Sequence, residues 1–444
     1  MMDKTIFTTL LEQKNFKAAQ SILDVMNAVD IAVLLSELDD HALALAFRLI
    51  SKNKAAEVFA NMTPSLQTCL VEIFTEKELK DLLDNLYMDD TVDLLEELPA
   101  NLVNRILNTV TPDKRNTINV LLHYPEDSAG SIMTTEYVNL KNDMTVAQAM
   151  AHIKHTGIHK ETIYTCYVTD KRHLIGIVSA KDLMTADDQI HIQDLMTTEL
   201  ISVTTHTDRE EVAHLFQKYD FLSLPVVDAD NLIVGIVTFD DAMDVMVEEA
   251  TEDITKMAAM NPSEKTYFET SVWNHAKNRI VWLLVLMFSA TITGTIISKY
   301  EDAFSALPLL VAFIPMLMDT GGNCGSQSST LIIRGLALNE IQFRDFFRVL
   351  LKEFQVSMVV GVILAAANGI RILIMYQNAA LALVIALSLL ATIVLSKLIG
   401  CLLPLLANRI GLDPAIMASP LITTLVDTCS ILIYFKIATQ IFQL

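Results

Sequence analysis

The chain has 444 residues, a formal net charge of −21 and a hydrophobic fraction of 52%, which is too long for one core and too apolar for a protein soluble throughout. Residues 1–270 hold 45 of the 53 acids but only 21 of the 32 basic residues, so the front carries −24 and the remainder +3. An acidic front repels nucleic-acid phosphates and suits cations as partners. Cys69, Cys166, Cys324, Cys401 and Cys429 form no CxxC pair and show no zinc-site spacing with histidine. The opening MMDKTIFTTLLEQKNF contains two acids and no apolar signal-peptide stretch, so the front is expected in the cytoplasm.

From Ala18 to about Leu122 apolar residues recur at helical spacing in short blocks such as AVLLSEL, LKDLLDNL and LVNRILNTV, broken by polar or Pro-containing steps. Such blocks suit helix pairs stacked as a solenoid, so residues 1–128 are expected to form an all-α superhelical domain. Tyr124-Pro125-Glu126-Asp127 reads as a linker.

An internal repeat follows. Met133-Thr134-Thr135-Glu136 recurs as Met196-Thr197-Thr198-Glu199, and GIVS at Gly176–Ser179 recurs as GIVT at Gly235–Thr238. Each copy predicts strand, helix, two strands and a closing helix, over 129–190 and 191–247. The layout resembles a tandem pair of α/β CBS domains. The pattern Gly-x-x-Ser/Thr-x-x-Asp, at Gly176, Ser179, Asp182 and again at Gly235, Thr238, Asp241, resembles that family's adenosine-ribose contact. The resemblance implies ATP or another adenine nucleotide as a regulatory ligand; glycine ahead of a β-branched strand is equally a packing device.

Residues 248–276 are expected to extend the last CBS helix toward the membrane. At 100° per residue Asp241, Asp244, Glu248 and Glu252 fall on one stripe with Glu249 beside it. A transmembrane domain of five spans is expected over 277–444: Arg279 to Ile297, Ala306 to Gly335, Phe354 to Met375, Ala379 to Ala407 and Ala415 to Phe435. Lys277 and Arg279 precede the first, Arg334, Arg344, Arg348 and Lys352 surround the second-to-third connection, and Arg409 follows the fourth. The positive-inside rule then puts the N-terminus inside and the tail after Phe435 outside.

Two features break the apolar pattern. MDTGGNCGSQSST, Met318 to Thr330, is expected to interrupt the second span and to bring Asn323 and Gln327 to a polar pathway; Gly321, Gly322 and Gly325 read alternatively as close helix-packing positions, and both readings can hold at once. Asp427 lies in the last span after Pro420, Thr423 and Thr424. A carboxylate at mid-membrane costs at least ~2.5 kcal/mol, so it faces a cation pathway or pairs with a basic residue such as Lys397.

The order of parts resembles the MgtE family of magnesium channels and transporters along essentially the whole chain, most specifically in TGGNCGSQSSTLIIRGLA (320–337) and DPAIMASPLITTLVD (413–427). The resemblance implies a homodimer in the cell membrane that passes Mg²⁺ at Asp427; the residues themselves suggest that Asn323, Gln327, Thr423 and Thr424 line the same path. The resemblance further implies regulatory Mg²⁺ ligands at Asp89, Asp93, Asp208, Glu210, Asp220, Asp241, Asp244, Glu249 and Glu252, and at Asp413, an acid that helps hold the closed state. Proton-coupled transport of Mg²⁺, Co²⁺ or Mn²⁺ is the alternative. With no Walker loop and no catalytic constellation, neither a pump nor an enzyme is expected.

Overall fold

The computed structural model describes residues 4–263, 267–268, 270–300, 307–338, 340–417 and 419–443. The chain divides into two compact units, Met1–Val247 and Glu248–Leu444.

The first unit opens with ten short helices: α1 (Lys4–Glu12), α2 (Phe16–Val25), α3 (Ala28–Ser36), α4 (Asp40–Phe47), α5 (Lys52–Ala60), α6 (Pro64–Ile73), α7 (Glu76–Leu83), α8 (Met88–Glu97), α9 (Ala100–Thr109) and α10 (Pro112–Leu121). Capping residues punctuate them. Asn27, Asp39 and Thr75 accept from the first backbone amides of the helices they precede, and Pro64 and Pro112 sit where a helix needs no donor. Helices two apart stack, α3 on α5 on α7 on α9 and α4 on α6 on α8 on α10, which builds the expected superhelical array. Basic side chains fasten successive layers by capping earlier helix C-termini. Lys54 donates to the carbonyls of Leu23, Asp24 and Met26, and Lys114 to those of Leu83 and Leu86.

Two three-stranded sheets follow with one layout. β1 (Asn139–Lys141) pairs parallel to β2 (Thr165–Asp170), itself antiparallel to β3 (His173–Ser179); β4 (Val203–Thr204), β5 (Ser223–Val227) and β6 (Ile233–Thr238) repeat this. The helices are α11 (Val146–Thr156), α12 (Ala180–Thr185), α13 (Ile192–Leu195), α14 (Arg209–Tyr219) and α15 (Phe239–Met257). The repeated methionine and glycine explain each other across the halves. Thr134 bridges to Ile236 in the second sheet and Thr197 to Ile177 in the first. A Cβ on Gly235 would lie 2.7 Å from Met133 Sδ, and one on Gly176 would lie 2.5 Å from Met196 Sδ. Each half thus lends its leading segment to the other's sheet, and glycine is required where the methionine lands.

α15 differs from expectation, because it stops at Met257 instead of running to 276. Ala259 takes a positive φ of 53°, and Asn261 precedes Pro262, a step that disfavours helix. Residues 264–266 and 269 of this connection lie outside the described residues.

The second unit holds α16 (Val272–Ser298), α17 (Ile314–Ala337), α18 (Phe346–Tyr376), α19 (Ala379–Arg409) and α20 (Ser419–Phe442). The first begins earlier than Arg279, capped by Ser271. The start expected for the second, Ala306, lies outside the described residues. Ala415 belongs to a 3-10 turn, Pro414–Met417, ahead of the last. Among the described residues, four helices are long and apolar enough to cross a membrane: Val272–Ser298, Phe343–Tyr376, Ala379–Arg409 and Pro414–Phe442.

α17 is the polar one, and the expected break is absent. Met318 to Thr330 is continuous α-helix. Its glycines are packing positions: a Cβ on Gly321 would come within 2.8 Å of Thr392 and 2.9 Å of Val426, and one on Gly325 within 2.7 Å of Ile422. Gly400 of α19 lies directly on the Gly325 carbonyl, and Ser396 donates to the Gly321 carbonyl. Backbone against backbone, with small residues between, is how helices associate without a hydrophobic driving force. Gly400→Ala should therefore push α19 off α17 and cost about 1–3 kcal/mol. Gly294, with open space around its Cβ position, serves as control: thermal unfolding in detergent should show a lower Tm for Gly400→Ala and none of that loss for Gly294→Ala.

Candidate cation sites

In the first unit, α8 carries Asp89 and Asp90 in its first turn, and α15 carries Asp240 and Asp241 in its own. Asp89 is 7% exposed. Burial first, then Asp241 and Asp90, push its carboxyl well above the usual range. Burial with Asp240 and Glu136 raises Asp90 to about 6. Asp241 rises to about 7 through burial and Asp240, against the donation it receives from Thr238. Glu161, raised to about 8 by burial and these acids, keeps one carboxylate oxygen buried with no hydrogen-bond partner. The structure thus brings Asp89 and Asp241 into one electrostatic neighbourhood and adds Asp90, Asp240, Glu136 and Glu161. Doubled acids at 89–90 and 240–241 and the repeated Thr-Thr-Glu were visible signals for three of these; nothing local marks Glu161.

Among the described residues no three of His, Cys, Asp or Glu converge closely enough to hold a bare ion. Hard carboxylate oxygens crowded against one another still fit Mg²⁺, which keeps several of its waters and takes few protein ligands. Other expected ligands are placed apart or have structural roles. Asp93 and Asp244 are exposed, with burial and Asp240 raising Asp244. Asp208 caps α14 by accepting from the Glu210 amide at 2.8 Å, Glu210 lies 3.6 Å from His214, and Asp220 ends that helix in the left-handed region.

The nucleotide motif residues face each other. Ser179 donates to Asp182 at 2.6 Å and accepts from its amide at 3.1 Å, and Thr238 donates to Asp241. Ser179 thereby caps α12, while at the start of α15 the Asp241 carboxylate also accepts from the Thr238 amide at 3.4 Å.

In the second unit, Asp319, Asn323 and Gln327 are spaced four apart on one uncovered face of α17. Gly322 meets Thr423 of α20, 2.9 Å from its Cβ position, and Asp319 is close enough to Asp427 for the two carboxylates to interact. Thr423 and Thr424 both donate to the Pro420 carbonyl at 2.9 Å. Lys397 turns elsewhere: its ammonium, buried on α19, donates to Ser328 at 3.2 Å, and Ser328 donates to Glu353 of α18 at 2.6 Å. This buried relay was missed, because Glu353 falls one residue before the expected start of its span at Phe354 and joins the helix only in the structure. Near the end of α15, Glu252 and Asp413 both bond Lys256, at 2.7 and 2.8 Å.

Comparison with known proteins covers the same parts. The family profile described as a divalent cation transporter matches residues 314–437, that of the MgtE intracellular N domain matches 3–127, and CBS domains match 129–188 and 192–248. The magnesium transporter MgtE of Thermus thermophilus is 35% identical over 98% of this chain and 97% of its own. That of Bacillus subtilis is 33% identical over 97% and 95%. The cytosolic domain of the Mg²⁺ channel MgtE, solved in complex with ATP, aligns with a TM-score of 0.52 at 34% identity, over 55% of this chain and all of that one.

Carboxylates raised from ~4 bind more protons folded than unfolded between about pH 4 and 8. Their contribution to stability is therefore full below about pH 4 and is lost as pH rises through the values of Asp90, Asp241 and Glu161. Mg²⁺ needs them ionised. Millimolar Mg²⁺ should raise the Tm of the detergent-solubilised protein markedly at about pH 8, by up to ~2–3 kcal/mol of stabilisation at saturation, and little at about pH 5. Equal gains at both would show that these carboxylates do not bind it.

Proposed function

Because the chain belongs to the MgtE family, we propose that it carries Mg²⁺ across the cell membrane as a homodimer, with Asp427 as the pore carboxylate and the acidic front as a Mg²⁺ sensor that closes the path. The observation that carries the pore assignment is the uncovered polar face of α17 next to Thr423 and Asp427. Such a face is not tolerated against lipid, so it borders water or a second copy. A twofold axis beside it doubles Asp427 into two facing carboxylates, with Asn323 and Gln327 near them. Two carboxylates and threonine hydroxyls suit an ion that sheds water reluctantly. The apolar outer faces of α16 and α18, with Phe288, Ile292, Ile363 and Ile374 exposed, suit lipid. The basic residues around the second-to-third connection support cytoplasmic N-terminal domains and an extracytoplasmic C-terminus.

For the sensor, Asp89 and Asp241 with Asp90, Asp240 and Glu161 would hold regulatory Mg²⁺ between the helical array and the CBS pair. Without a cation their mutual repulsion favours separation; a bound ion favours the compact arrangement by ~1.4 kcal/mol for each tenfold difference in affinity. Asp93, Asp208, Glu210, Asp220, Asp244 and Glu249 would add weaker outer-sphere contributions. Proton-coupled exchange is the second reading, favoured by the nearness of Asp319 to Asp427, two acids able to trade a proton for a cation.

Asp427→Asn in liposomes should lower Mg²⁺ flux at least tenfold while the protein still folds; undiminished flux would remove Asp427 from the path. Imposed pH gradients separate the readings, since a channel passes Mg²⁺ without one. An adenine nucleotide such as ATP is proposed as a regulator near Ser179, Asp182, Thr238 and Asp241, on the family's precedent. Calorimetry with millimolar ATP should give a saturable heat that Thr238→Ala diminishes, and absence of heat would remove the nucleotide from the account.

A further inference from the structure

Glu252 and Asp413 were both expected to ligate Mg²⁺, yet what joins them is a side chain of this same chain. Lys256 lies one turn beyond Glu252 on α15, and its ammonium is 2.7 Å from Glu252 and 2.8 Å from Asp413 Oδ2. Asp413 sits between α19 and the 3-10 turn that opens the last span, and its other oxygen accepts from the Ala415 amide at 2.7 Å. Both of its oxygens are therefore engaged. We propose that Lys256 is a tethered counter-ion that holds the end of α15 to Asp413 when no divalent cation is bound, and so sets how far the path is closed in the absence of Mg²⁺. This deepens the gating reading above and rests on it for its functional arm.

The charge balance supports the device. Burial alone disfavours the ammonium, but its bonds to Asp413 and Glu252 more than offset this and keep it charged. One positive charge against two carboxylates leaves the group at −1, so a divalent ion still gains by displacing the lysine. The lysine contributes only where Mg²⁺ is absent: at saturating Mg²⁺ the ion has replaced it, and the closed state is equally favoured with or without it.

That predicts an unusual mutant. Lys256→Gln should raise flux in Mg²⁺-free solution by roughly threefold to tenfold, the range expected for losing two partly exposed ion pairs. It should converge on wild type as Mg²⁺ saturates. Independently of flux, hydrogen exchange of the full-length protein in Mg²⁺-free detergent should quicken over residues 250–260 and 409–417 and be restored by millimolar Mg²⁺. Lys256→Arg keeps the charge and should follow wild type. If Lys256→Gln is not recovered folded, Glu252→Gln with Asp413→Asn removes the same attraction and should show the same Mg²⁺-free changes. Unchanged exchange on losing the ion pairs, or equal acceleration in Lys256→Arg, overturns the tether. A wild type that Mg²⁺ does not inhibit would instead overturn the gating reading, and the exchange arm would still decide on Lys256.

Discussion

A carboxylate that leaves water must find a positive charge, a proton or a donor, and this chain has 53 acids against 32 basic residues. Its scarce basic side chains are already committed in several places. Lys54 and Lys114 cap helix ends in the helical array, Lys397 serves Ser328 beside Glu353, and Lys256 is shared by two acids. Arg48 and Arg105 pair with Glu78 and Glu76. For Asp89 and Asp241 the charged groups acting most strongly are other carboxylates, and both carboxyls are pushed upward accordingly. The shortage of internal cations is thus felt most at this cluster, where carboxylate lies against carboxylate.

The second unit meets the opposite constraint. Lipid offers no donors, so the polar stretch of α17 has to be satisfied within protein. The helix remains regular because its own backbone bonds are complete, while glycine and serine let α19 and α20 come close enough to cover one side. Gly321, Gly325 and Gly400 serve that closeness, and the residues left over, Asp319, Asn323 and Gln327, all lie on the remaining face. The same helix is thereby a packing element on one side and a polar surface on the other.

Periodicity and punctuation made much of this legible. Helical blocks, the two-copy strand pattern and the apolar runs follow from local rules, and the lone acid in the last span stood out against its surroundings. Most of what escaped depended on residues distant in sequence, the early end of α15 being a local exception. The Met318–Thr330 stretch reads as a break because its composition is polar, yet it stays helical, and its glycines admit the neighbours that cover one side of it. The helix expected to reach residue 276 ends at Met257, where a positive φ at Ala259 and the Asn261-Pro262 step outweigh a helical pattern. Glu161 and Glu353 gain their surroundings entirely from tertiary packing.

The exchange of leading segments between the CBS halves has a consequence for synthesis. Met133 finds Gly235, and Thr134 finds Ile236, about a hundred residues further along the chain. A ribosome that has released the first half has produced a sheet whose Gly176 groove still awaits Met196, and a leading segment with nowhere to dock. Closing such distant pairs costs loop entropy before any contact repays it. The two copies are consequently one folding unit: the repeat visible in the sequence cannot be cut at its own period without leaving both pieces incomplete.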